Sequence, residues 1–137
     1  STNIASLDTV IKNLDKYDIV AGSRFHPQSR VLRPYYRSSF GFGLSVLSRL
    51  LFRISVRDTQ CGFKGYRKEP IRRILRFVKN NEWFWDIEVF YYAKKFSYGI
   101  CEIPVAWRYN KLKSYGLFGN IFFYMKSILR FIVEKNG

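Results

Sequence analysis

Histidine, cysteine and acidic residues are all scarce in this 137-residue chain, which has one His, two Cys and 10 Asp+Glu. Each shortage removes a class of chemistry. A single imidazole, His26, leaves little for a His-based nucleophile relay, and no CxxC pair, HExxH helix or phosphate-cradling GxxxxGK[ST] loop occurs. Cys61 and Cys101 cannot staple a chain of this length, so a secreted disulfide scaffold is excluded; both read as buried thiols in a reducing compartment. Long apolar runs are missing too. The longest uncharged stretch, opening at Ser114, falls well short of the ~20 apolar residues that cross a bilayer core. Residues 1–5 have neither the basic start nor the apolar core of a signal peptide, and helical patterning begins almost at once, so the chain reads as a piece of something longer.

Aromatic and basic residues are abundant. Aromatics make up 19% of the chain and hydrophobic residues 47%, enough apolar surface to offset the entropy of ordering one globular domain and to exclude a disordered basic tail. Lys and Arg total 24, for a formal charge of +14. Residues 24–76 hold thirteen of them against Asp58 and Glu69, so +11 of the +14 lies in that block. Such a block, interleaved with Phe, Tyr and Leu, predicts an anionic partner: a phosphate-bearing substrate, an acidic membrane surface or nucleic acid.

Residues 6–16 read as a helix with Leu7, Val10, Ile11 and Leu14 on one face, and residues 18–21 as a buried strand ended by Gly22-Ser23-Arg24. Residues 25–34 have loop chemistry. From 35 to 53 the pattern is helical and apolar over more than half its circumference, edged by Arg33, Arg37, Arg49 and Arg53; such a helix suits either a core or the plane of a membrane interface. A loop then runs into a strand at 62–67. Helices follow over about 70–79, where Pro70 suits the first turn, and 83–96, and a strand over 100–107 in which Pro104 favours an edge position. Residues 117–135 form a long amphipathic helix with Phe118, Ile121, Phe122, Met125, Ile128, Leu129 and Ile132 on one stripe. Phe123 and Phe131 lie off it beside Lys126 and Arg130, as in a helix lying among lipid headgroups or against a partner helix. The order is α-β-α-β-α-α-β-α.

Few residues are placed for chemistry. Asp58 is the sole acid between residues 19 and 68, just before a turn ending at Gly62, where a carboxylate orients a hydroxyl, takes up a proton, or serves structurally by pairing with Arg57 or capping a turn. Asp86 and Glu88 stand near a helix start, where negative charge is favoured by the free amide groups; at i and i+2 they point apart, so at most one faces a substrate.

The runs Gly22-Ser-Arg24, Arg57-Asp-Thr-Gln-Cys-Gly-Phe-Lys64, Trp85-Asp-Ile-Glu88 and Glu102-Ile-Pro-Val105, in this order and at these intervals, resemble the second half of glycosyltransferase family 2. More narrowly, the chain resembles the polyprenyl-phosphate branch, dolichyl-phosphate glucosyltransferases more than mannose synthases. The resemblance implies an α/β fold: residues 1–137 as the acceptor-side, C-terminal half of a GT-A (Rossmann-like) domain, with amphipathic helices at 35–53 and 117–135. It implies an upstream half that binds the nucleotide sugar and ends in a D-x-D motif for Mg²⁺ or Mn²⁺, with no metal ligand in this chain, which is then expected to be inactive alone.

The reaction implied is inverting transfer of a hexosyl group, glucose before mannose, from UDP-glucose or GDP-mannose to dolichyl or polyprenyl phosphate at the cytoplasmic side of a membrane. Asp58 and Gln60 would line the transfer site. Ser23, Arg24, Trp85, Asp86 and Glu88 would meet the donor, and Arg33, Arg37, Ser38 and Lys113 would hold the acceptor phosphate. At Lys113 the sequence departs from the family's Gly-Ser-Lys order. The apolar faces of both helices would rest on lipid, and nucleic acid is not an expected partner. A non-catalytic basic module for acidic membranes or nucleic acid, and a family 2 transferase with a polysaccharide acceptor, are the competing readings.

Overall fold

The computed structural model describes residues 4–32, 43, 46–80, 84–108 and 117–137, with residues 4, 107–108 and 117–120 described by backbone alone. Helix α1 (Ile4–Leu14) leads into β1 (Ile19–Ser23), followed by the short β2 (Arg30–Leu32), helical residues 46–52 (α2), β3 (Lys64–Tyr66), α3 (Lys68–Leu75), α4 (Trp85–Lys95), β4 (Ile100–Pro104), β5 (Ala106–Arg108) and α5 (Leu117–Asn136). The α/β class is as expected.

β1 is the centre of a three-stranded mixed sheet ordered β3-β1-β4, antiparallel to β3 and parallel to β4, with Ile19 opposite Ile100 and Ser23 opposite Pro104. All five of its residues are buried, because both faces of the sheet are covered. Val20 meets Val10 of α1 and Ile103 on one face, while Ile19 and Ala21 join the main core under α4 on the other. Two glycines let the layers close up: a β-carbon on Gly65 would collide with Val10, and one on Gly22 would lie 2.6 Å from Val105 Cγ1 and 3.0 Å from the Phe63 carbonyl oxygen.

Pro104 sits on an edge strand, as its missing N–H requires. The single strand expected at 100–107 is in fact two. At Val105 the chain leaves β1: its N–H donates to Ser29 Oγ at 2.9 Å and its carbonyl accepts the Arg30 N–H at 3.0 Å, after which β5 pairs in parallel with β2. The loop expected at 25–34 therefore contains a strand, which local turn chemistry hid because β2 is only three residues long and depends on this distant partner.

α4 is buried on most of its circumference through Ile87, Glu88, Val89, Phe90 and Ala93. Around it Phe52, Phe84, Tyr124 and Phe131 meet edge to face, with ring centroids 5.3 Å apart for Phe52–Phe131 and 5.5 Å for Phe84–Phe131. Phe131 is thus a core residue: of the two settings expected for it, it packs against other helices, through Phe52, Tyr91 and Tyr92, and not among lipid headgroups. α5 carries two apolar stripes, and periodicity alone does not say which faces inward. The structure buries Tyr124, Ile128 and Phe131 and leaves Phe122, Met125, Leu129 and Val133 exposed, together with Phe123. The stripe expected in α1 is likewise only half buried: Val10 packs inward, whereas Leu7 and Ile11 are exposed.

Of the apolar helix expected over 35–53, residues 46–52 are helical, with Phe52 in the core and Leu50 and Leu51 exposed; residues 33–42, 44 and 45 lie outside the described residues. Arg53, at φ 52°, turns the chain out of α2, and Lys94 Nζ donates to its carbonyl oxygen at 2.7 Å.

Candidate functional site

The C-terminal end of β1 carries Ser23 and delivers Arg24 to the loop holding Asp58. Asp58 is fully buried, yet it does not pair with its neighbour Arg57. Its Oδ2 accepts from Arg24 Nε at 2.7 Å and from the Arg24 backbone N–H at 2.9 Å, while Oδ1 accepts from Arg24 Nη2 at 2.9 Å and the Gln60 N–H at 3.2 Å. This is a bidentate fork, the strongest geometry open to a guanidinium and a carboxylate. Burial pushes the Asp58 carboxyl up, but the Arg24 hydrogen bonds and charge outweigh it and hold the group below the usual carboxylate range. The loop itself is held by Glu102 of β4, whose Oε1 accepts the N–H groups of Arg57 at 2.7 Å and Asp58 at 3.4 Å.

A second ion pair stands nearby. Lys64, at the start of β3, donates from Nζ to Asp86 Oδ1 at 2.8 Å and to the Thr59 carbonyl at 3.4 Å, and lies 5.4 Å from the Phe90 ring centroid. The Lys64 side chain is nearly buried and Asp86 a quarter exposed. Desolvation leaves the Asp86 carboxyl above its usual range despite Lys64. Gln60 reaches from the same loop to Tyr124 OH of α5 at 3.5 Å, and that hydroxyl also bonds Ser48 Oγ of α2. The Asp58 loop is thereby joined to the core-facing side of α5.

Of the residues expected at the site, Arg24, Asp58, Gln60 and Asp86 converge on this loop, with Ser23 buried beside it at the end of β1. Trp85 packs edge-on to Tyr66, centroids 6.1 Å apart. Glu88 points the other way along α4, as the i, i+2 spacing requires. It is buried, with Oε2 accepting the Lys79 N–H at 2.8 Å and Oε1 the Asn80 side chain at 3.2 Å, so it anchors residues 79–80 to α4. Arg33, Arg37, Ser38 and Lys113 lie outside the described residues. Lys64, Glu102 and Tyr124 were not singled out from the sequence. Lys64 and Glu102 stood within quoted motifs, whereas nothing local to Tyr124 sets it apart from nine other tyrosines.

Among the described residues no group of three or more His, Cys, Asp or Glu is arranged to hold a metal ion. No helix of the described residues is long and apolar enough to cross a membrane.

Comparison with known proteins gives the arrangement a context. Glycosyltransferase AglD of Haloferax volcanii is 32% identical over 109 residues, 78% of this chain. The dolichyl-phosphate beta-glucosyltransferases of Dictyostelium discoideum and Homo sapiens are 32% and 36% identical over 74% and 65% of it. The chain is homologous to part of these glycosyltransferases. The resemblance to family 2 and its polyprenyl-phosphate branch is borne out, and the mixed α/β architecture accords with a partial GT-A fold. No family model matches the chain. The matched segment makes up 18%, 32% and 28% of the three relatives, so the chain spans less than a third of their length.

Proposed function

We propose that this chain is the acceptor-side part of a longer glycosyltransferase that moves a hexosyl group, glucose in preference to mannose, from a nucleotide sugar to dolichyl or polyprenyl phosphate. One observation carries the reading. Arg24, Asp58, Lys64 and Asp86 come from three separate sequence motifs that carry the resemblance to that branch, and they meet in two adjacent, largely buried ion pairs. The names of the relatives, dolichyl-phosphate beta-glucosyltransferase among them, support glucose and the lipid phosphate.

In this reaction an oxygen of the lipid phosphate attacks the anomeric carbon as the bond to the nucleoside diphosphate breaks. The electron pair leaves with the diphosphate, and the anomeric centre inverts. A phosphate is already ionised near neutral pH and needs placement and charge neutralisation more than a strong base. Both oxygens of Asp58 are taken up by N–H donors, which suits a positioning role: the carboxylate fixes Arg24, and Arg24 meets the developing negative charge on the leaving diphosphate. Gln60 and Asp86 border that spot, the latter held by Lys64. Arg33, Arg37, Ser38 and Lys113 would complete the acceptor-phosphate site, and the Mg²⁺ or Mn²⁺ site would belong to another part of the protein, leaving this segment inactive alone. The exposed Phe122, Phe123, Met125 and Leu129 of α5, beside Lys126 and Arg130, suit a face resting on the cytoplasmic side of a membrane.

The test is a transfer assay on the full-length protein in detergent with dolichyl phosphate, Mg²⁺ or Mn²⁺, and labelled UDP-glucose and GDP-mannose in parallel. Lipid-linked glucose is the expected product. Lipid-linked mannose would correct the sugar, and no lipid product from either donor would overturn the reading.

A further inference from the structure

At the other end of the central sheet, six residues and roughly 20 Å of strand away from Arg24, lies a different arrangement of charge. Asp18 precedes β1, Tyr98 leads into β4 and Arg67 follows β3, so all three stand at the same end of the sheet. With α3 they border an open concavity of about 860 Å³ whose cationic lining is Arg67, Lys68, Arg72, Arg73 and Arg76. The acids there are Asp18 and Glu69, and neither neutralises it. Asp18 Oδ1 is 3.7 Å from Arg67, and its Oδ2 already accepts the Gly99 N–H at 2.9 Å. Glu69 is 83% exposed and 3.9 Å from Arg72, a contact of little energetic weight.

Lys68, Arg72 and Arg76 recur every four residues and so form one stripe about 12 Å long. Like charges at this spacing work against a helix, by about 0.2–0.5 kcal/mol for each pair. The last-turn arginines gain something from the helix dipole, but Lys68 sits at the N-terminus, where positive charge is disfavoured. Two of the arginines are nonetheless held in place: Arg67 by Asp18, and Arg73 with its guanidinium carbon 4.3 Å from the Phe96 ring centroid. A stripe of cations that no acid neutralises, flanked by two held arginines around one hollow, matches a ligand with several negative charges along its length.

We propose that this concavity is an anion site, separate from the Arg24–Asp58 site, for a ligand carrying two or more phosphate groups. The stripe is too long for one phosphate to neutralise, and the guanidinium forks of Arg72 and Arg76 suit phosphate oxygens. Such a ligand is either a soluble polyphosphate or a multiply phosphorylated lipid headgroup. The site does not depend on the proposed transferase activity.

The experiment uses the full-length protein, tripolyphosphate as the soluble probe, and vesicles of phosphatidylcholine with and without phosphatidylinositol bisphosphate as the lipid probe. Two double variants are compared, Arg72→Gln with Arg76→Gln, and Lys12→Gln with Lys16→Gln, which removes the same charge from one exposed position of α1 and one of the turn just after it. The α3 variant is expected to weaken binding at least about tenfold, the loss of two charged hydrogen-bond donors, while the α1 variant leaves it within about twofold. Tripolyphosphate binding would make the ligand soluble; a gain confined to phosphoinositide vesicles would make it a headgroup. Binding of neither probe, or equal weakening by both variants, would overturn the site. A circular dichroism spectrum matching the parent's checks that the α3 variant is folded. Should it not be, Arg72→Lys with Arg76→Lys keeps the charge but removes the fork, and undiminished binding there would refute the guanidinium role.

Discussion

The two ends of the central sheet handle positive charge in opposite ways. Around Asp58, each cation that loses water has an acid within hydrogen-bond reach: Arg24 has Asp58 and Lys64 has Asp86. Around α3, four arginines and a lysine share two weakly engaged acids and stay in solvent. The difference follows from desolvation. A buried charge costs several kcal/mol unless it is paired and hydrogen-bonded, whereas an exposed one is screened and needs no partner. Among the described residues, the +11 block of the sequence therefore holds both charges that build the structure and charges the structure leaves available.

The sharpest way to break this contrast is at Asp58. Asp58→Ala leaves Arg24 largely buried without its counter-charge and should lower unfolding stability by about 3–5 kcal/mol, read from the denaturant midpoint. Arg24→Met combined with Asp58→Leu should cost much less than Asp58→Ala, because no orphaned charge remains. A double variant as unstable as the single would show that the loop depends on shape rather than charge. At the same end, Gly22→Ala forces a methyl against Val105 and the Phe63 carbonyl in a central strand, and a loss of about 1–3 kcal/mol is expected in the same measurement.

Acid should undo the paired end through Asp58. Its folded carboxyl lies below the ordinary range, so its contribution is complete above the unfolded value of about 4 and disappears as pH falls from there through the folded value. Asp86, raised by burial, acts in the opposite sense: its contribution is present in acid and declines as pH rises above that unfolded value. The fall in stability below about pH 4 should accordingly be shallower in Asp58→Asn than in the parent. An unaltered slope would assign acid sensitivity to other carboxylates.

Ser97, next to Tyr98 at the basic end, closes α4 at φ 59°, in the left-handed region, while the Tyr98 N–H donates to the Ala93 carbonyl at 2.9 Å. Glycine adopts that conformation without the β-carbon penalty, so Ser97→Gly should raise stability by about 0.5–1 kcal/mol. Unchanged stability would mean that the serine side chain compensates for its backbone.

Much of this organisation was legible in the sequence, and the failures share a cause. β1, α3, α4 and the edge position of Pro104 follow from local pattern, and the family motifs brought Arg24, Asp58, Gln60 and Asp86 to one site. What local pattern missed depends on distant partners. β2 exists because β5 lies beside it, Phe131 is buried because Phe52 and Phe84 meet it, and Asp58 pairs with Arg24, 34 residues away, instead of Arg57. Glu88 fits the family motif yet holds residues 79–80, a role that no spacing rule distinguishes from donor contact.

The smallest effect is the most informative about the basic end. Arg72 is 64% exposed, its contact to Glu69 spans 3.9 Å, and its i−4 and i+4 neighbours on the helix are Lys68 and Arg76. Removing its charge takes away a weak ion pair and two like-charge neighbours, so Arg72→Gln should change stability by no more than about 0.5 kcal/mol, with any shift toward greater stability. A loss above 1 kcal/mol would mean that Arg72 holds the fold together, as Arg24 does at the other end, and would erase the distinction between the two ends. A neutral result leaves the stripe with no structural work to do, which is the condition under which ligand binding is the remaining physical account of four clustered arginines.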